Sequence, residues 1–186
     1  MLVKDLRAGD MLFVMPNGWI GDMIDYASGP GNDPCHIAQV VVDLWQTLWV
    51  YEMTSPMARR TTLPQWMAEN NSTGLVHVGA LAQPLTLQQS DRLRDYWNGK
   101  LAHWWTRTYD YLQLPVLWVW LRVRRLRSLF GGKPLDIEPI KGNGVCSQVV
   151  KEAMEFALDS QLPHWMQSPA DLSRWDGLRP CEPVES

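Results

Sequence analysis

The chain predicts an α+β domain in which a helix packs against a central antiparallel sheet. Two observations carry this fold class. His36-Ile37-Ala38-Gln39-Val40-Val41-Val42-Asp43 and Leu48-Trp49-Val50-Tyr51-Glu52-Met53 are β-branched and aromatic runs joined by Leu44-Trp45-Gln46-Thr47, the pattern of a hairpin. After Cys146, the apolar residues Val149, Val150, Ala153, Met154, Ala157 and Leu158 recur at helical spacing, with Lys151, Glu152 and Glu155 assigned to solvent. At 186 residues the chain fits one domain, 1–186, large enough for a hydrophobic core.

The remaining elements follow in order. Asp10 to Met15 reads as a strand, and Gly18 to Tyr26 as a short helix with Trp19, Ile20, Met23 and Ile24 inward. Ser28-Gly29-Pro30-Gly31-Asn32-Asp33-Pro34 is a turn-rich loop that delivers the chain to His36, without the strand, helix and lysine context of a phosphate-binding loop. Thr54 to Pro64 reads as a surface loop, in which Arg59-Arg60 either recognise a carboxylate or are simply solvated. Leu75 to Leu81 is a further strand, its His77 structural. A long helix starts at the capping box Thr86-Leu87-Gln88-Gln89 and runs to about Trp105.

One stretch stands apart, an apolar and basic insertion at about 112–139. Leu114-Pro115-Val116-Leu117-Trp118-Val119-Trp120-Leu121 leads into Arg122, Arg124, Arg125 and Arg127. Two readings are open. Either this is a helix packed on the core with solvated arginines, or the part at 112–130 lies in a membrane interface, tryptophans at headgroup depth and arginines towards anionic lipid. No run of about 18 apolar residues spans a bilayer. The N-terminus, charged throughout, shows no secretory signal, so a cytoplasmic location is expected, with export by another route left open.

A net charge of −3 argues against nucleic acid as a partner. The three cysteines, Cys35, Cys146 and Cys181, are an odd number without framework spacing, which favours a catalytic thiol over a disulfide scaffold. Cys35 and His36 are adjacent in a strand and project to opposite faces, and no other Cys and His cluster completes a zinc site. No metal or other cofactor is expected.

Cys146 sits where the loop Lys141-Gly142-Asn143-Gly144-Val145 turns into a helix. Free backbone N–H groups and the positive end of the helix dipole there favour a negative sulfur. A nucleophilic thiol needs a base, and the base needs a group to hold its tautomer. A symmetric hairpin loop places Glu52 opposite Ala38 and diagonal to His36 on one face, within reach of the imidazole; a one-residue slip would remove it.

These residues carry a resemblance. Gly9-Asp10-Met11-Leu12-Phe13-Val14, Cys35-His36-Ile37-Ala38, Val50-Tyr51-Glu52, Tyr109-Asp110-Tyr111, Val145-Cys146-Ser147-Gln148-Val149-Val150 and Ser168-Pro169-Ala170-Asp171-Leu172 occur in the order seen in circularly permuted NlpC-like proteins. These form the YiiX/YaeF-like branch of the papain-like cysteine hydrolases and acyltransferases. The resemblance, over about residues 6–172, implies a permuted papain-like fold with Cys146 as nucleophile, His36 as general base and Glu52 orienting it. It also implies that Tyr109 lies near the substrate. Two positions depart from the pattern: Cys35 replaces a Ser or Thr, and Gln148 a Glu.

The chemistry implied is acyl transfer at an amide, ester or thioester, with a small-molecule, peptide or acyl-lipid substrate. A non-enzymatic peptide- or lipid-binding module on the same scaffold is the alternative. Oligomeric state is left open.

Overall fold

A computed structural model describes residues 3–15, 33–54, 57–70, 76–102, 119, 122–123 and 146–184. Six described strands form one antiparallel sheet: β1 Met11–Val14, β2 His36–Val42, β3 Leu48–Met53, β4 Ala58–Thr62, β5 Val76–Gly79 and β6 Glu182–Pro183, in the order β4-β3-β2-β1-β5-β6. The helices are α1 Leu63–Asn70, α2 Leu87–Ala102, α3 Cys146–Leu158 and α4 Pro169–Ser173.

The sheet is covered on both faces, which is why β2 reads as an almost unbroken apolar run. Ile37 and Val41 of β2, with Tyr51 and Met53 of β3, share a core with the α2 and α3 residues Trp97, Val149, Val150 and Ala153. Ala38, Val40 and Val50 face the other way, into a second core with Leu63 and Trp66 of α1. A polar pair enters the core on the α3 side, where Trp97 Nε1 donates to the buried Gln39 Oε1 over 2.8 Å.

The hairpin has the symmetric register that the sequence predicts, Ala38 opposite Glu52. Asp43 sets it. One carboxylate oxygen accepts from the backbone N–H groups of Trp45 and Thr47, and the other accepts from the Trp49 indole at 2.9 Å. A short side chain bonding to the next turn of backbone is a standard way to close such a loop. Gln46 takes a φ of 63°, the left-handed step that this loop requires.

Two expectations are corrected. Within the stretch read as a surface loop from Thr54 to Pro64, residues Ala58–Thr62 are instead strand β4, which runs into α1. Its alternation is hidden because Arg59 and Arg60 both look like surface residues, although Ala58 and Thr61 are buried. Arg60 stacks on the Trp49 ring, 3.8 Å from its centroid. On α3, the charged stripe is not free in solvent: Lys151 is 8% exposed, Glu152 accepts from Tyr96 Oη at 2.8 Å, and Glu155 accepts from the Leu162 N–H. Helix α2 packs over that stripe, so periodicity identified the helix but not its second buried side.

The capping box at Thr86 and Gln89 is present, each side chain engaged with the other residue's N–H. Two expected features, the short helix at Gly18 to Tyr26 and most of the 112–139 insertion, lie outside the described residues. Within the insertion, Val119, Arg122 and Val123 are helical, with Val119 and Val123 exposed.

Candidate active site

His36 opens β2, and Cys146 opens α3. Cys146 belongs to the core on the α3 side, whereas Ala38 and Val50, which share strand parity with His36 and Glu52, face the α1 side. The thiol therefore reaches the imidazole around the end of β2 rather than across a common sheet face. Each residue lies at the first position of its element, where the main chain leaves room for that approach.

The carboxylate of Glu52 lies 2.6 Å from His36 Nε2. That contact is the diagonal neighbour relation set by the Ala38–Glu52 pair. The Cys146 side chain lies close enough to His36 to act on the imidazole. His36 is 23% exposed and Glu52 only 2%. Burial opposes a charged imidazole, but the Cys146 sulfur and then the Glu52 carboxylate outweigh it, and the His36 pKa is pushed up from 6.5 to about 10. Burial likewise opposes a charged Glu52, yet His36 and Arg59 hold its pKa down at about 2. The arrangement favours the protonated imidazole.

Arg59 is the residue that sequence reasoning left undecided. It sits directly opposite Glu52 on β4, its Nε donates to Glu52 Oε1 over 2.5 Å, and its Nη1 lies 2.9 Å from Glu69 of α1. The carboxylate it recognises is internal to the protein. The signal was present in the Arg59-Arg60 pair, but only the β4 register shows which of the two faces Glu52.

A brace ties both halves of the site to the C-terminal segment. Ser147 Oγ donates to the Gln167 carbonyl at 2.7 Å, holding the first turn of α3. Arg174, which caps α4, bonds Asp33 at 2.5 Å, just before His36. Between them, the Ser168–Asp171 capping box starts α4, with Asp171 N donating to Ser168 Oγ at 3.1 Å. The Ser-Pro-x-x-Leu segment thus has a mechanical part beside the site.

Of the four residues singled out from the sequence, Cys146, His36 and Glu52 come together; Tyr109 lies outside the described residues. The Cys35 thiol is directed to the Val14 carbonyl at 3.5 Å. Among the described residues, no group of three or more His, Cys, Asp or Glu side chains could hold a metal ion.

With this geometry in view, the chain can be set beside known proteins. It is similar to the crystal structure of metalloprotein yiiX from Escherichia coli O157:H7, with a TM-score of 0.55 and 20% identity over 83% of this chain and 68% of that one. The fold is yiiX-like. No sequence family matches the chain, and no curated protein matches it significantly. Among the described residues, no helix is long and apolar enough to cross a membrane.

Proposed function

We propose that this protein is a thiol-dependent hydrolase or acyltransferase on a permuted papain-like scaffold, with a Cys-His-Glu triad of Cys146, His36 and Glu52. The observation that supports it is one imidazole bound through Nε2 to a buried carboxylate and lying beside a helix-start thiol. A nucleophile, its base and the group orienting that base require this order.

In this reading His36 takes the proton of the Cys146 thiol, and the sulfur attacks the carbonyl carbon of an amide, ester or thioester. The C–S bond forms and the carbonyl π electrons move to oxygen, where the first-turn N–H groups of α3 receive the negative charge. As the tetrahedral centre collapses, the bond to the leaving group breaks and His36 gives that group its proton. Water or another acceptor then attacks the acyl-thioester; His36 takes the acceptor's proton, and the sulfur departs. Glu52 keeps Nε2 protonated throughout, so that Nδ1 is the nitrogen that exchanges protons.

The word metalloprotein describes the E. coli neighbour. In this chain Nε2 of His36 is already engaged by Glu52, and the described residues offer no group of three or more His, Cys, Asp or Glu side chains that could hold a metal ion.

Incubation with acyl probes bearing amide, ester and thioester groups, followed by intact-mass measurement and peptide mapping, tests the reading. An acyl adduct on Cys146, absent from Cys146→Ala, is expected. Probe retention without any covalent adduct would instead mark the scaffold as a binding module.

A further inference from the structure

We propose that Arg59 is a positioning residue of the site, the permanent counter-charge that keeps Glu52 ionised and facing His36 while the imidazole cycles between charged and neutral. The inference rests on the thiol-imidazole reading above and adds to it a fourth residue that the triad does not include.

The charges around Glu52 change during turnover. Its carboxylate is 2% exposed and has two cationic neighbours, His36 on β2 and Arg59 on β4. His36 in turn faces Cys146 of α3, and Arg59 faces Glu69 of α1. When His36 passes its proton to a leaving group, the inner cation disappears, and a buried carboxylate without a partner would be strongly disfavoured. It would either take up a proton itself or rotate away from Nε2. Both events end its control of the imidazole tautomer. An arginine does not deprotonate in the working range of an enzyme, so Arg59 supplies charge at every stage.

Geometry adds a second effect. Arg59 occupies Oε1 at 2.5 Å, which leaves Oε2 to His36 at 2.6 Å. The planar guanidinium is itself fixed through Nη1 to Glu69, so the row Glu69, Arg59, Glu52, His36, Cys146 runs from α1 across three strands to α3. The outer end of this row is half-exposed and the inner end buried.

The test uses the full chain and needs no substrate. The rate of Cys146 alkylation by iodoacetamide is measured against pH for wild type, Arg59→Gln and Arg59→Lys, with thermal melting as the folding control. Glutamine can still donate to Oε1 but carries no charge. For Arg59→Gln the low-pH edge of the profile should move up by about one unit or more, as expected for loss of a cation beside a carboxylate. The neutral-pH rate should fall about tenfold, the scale at which groups behind a functional imidazole act. Arg59→Lys should bring the edge back while leaving the plateau severalfold low, because an ammonium lacks the planar fork. An edge and plateau in Arg59→Gln equal to those of wild type would overturn the role. Should Arg59→Gln not fold, Arg59→Lys decides: a wild-type plateau and edge would overturn the role, and a lowered plateau with a wild-type edge would support it. If wild-type Cys146 is not selectively alkylated at all, the thiol-imidazole reading fails instead, and the two failures are distinct.

Discussion

Two buried carboxylates lie on either side of β2 and are held in opposite ways. Asp10, just before β1, is 3% exposed and accepts from the backbone N–H groups of Arg7 at 2.8 Å and Leu81 at 3.0 Å. Burial wins there, and its pKa is raised above 3.8. Glu52 is as deeply buried, but its partners are the side chains of His36 and Arg59, and despite burial its pKa is lowered to about 2. Backbone partners make a carboxylate into a staple between chain segments. Side-chain cations make it into a fixed charge that acts on its neighbours.

That contrast is open to attack by mutation. Under the proposed mechanism, Cys146→Ala has the largest effect, eliminating acyl-adduct formation with no loss of folding, as read by mass measurement and melting. Next, Glu52→Gln keeps the shape but removes the charge and allows the wrong tautomer; Cys146 acylation should slow by on the order of a hundredfold to ten-thousandfold. Asp10→Asn should leave that rate within about twofold of wild type and instead cost about 1 kcal/mol of stability in urea unfolding, because one backbone N–H loses its acceptor.

The pH dependence of stability separates the two carboxylates by sign. Glu52 has a lowered folded pKa, so its stabilisation is present above its unfolded value of 4.5 and is lost as pH falls towards about 2. Asp10 has a raised folded pKa, so its contribution is present below 3.8 and is lost as pH rises through the folded value. His36 is likewise raised, contributing fully below 6.5 and losing that contribution as pH climbs through about 10. Between about pH 3 and about pH 5, the melting-temperature advantage of wild type over Glu52→Gln should grow, while that over Asp10→Asn should shrink. Parallel trends would erase the distinction. The smallest effect is expected at the hairpin tip, where Trp45 is 87% exposed: Trp45→Ser should change stability by less than about 0.5 kcal/mol and leave Cys146 reactivity unchanged.

The hairpin register was legible because Asp43 closes a symmetric loop, and symmetry with period two is enough to set Glu52 beside His36. Helix α3 was legible from its apolar spacing. Strand β4 was not, since an edge strand carrying two arginines has the composition of a loop; only pairing with β3 reveals that Arg59 points to Glu52 and Arg60 to Trp49. The route of Cys146 to the imidazole was also beyond local pattern. A strand shows which residues share a face, but not that a helix from the other layer reaches around its end. The Arg174–Asp33 tie joins residues far apart in the chain, for which sequence spacing holds no information.

Competition among the three thiols shows whether the surroundings of Cys146 activate it. Cys146 is 5% exposed, whereas Cys35 and Cys181 are both more accessible. Exposure alone therefore ranks Cys146 last. Brief treatment with substoichiometric iodoacetamide near neutral pH, followed by peptide mapping, should label Cys146 first, and the preference should vanish in His36→Gln. Labelling of Cys35 or Cys181 ahead of Cys146 in the folded wild type would contradict the account.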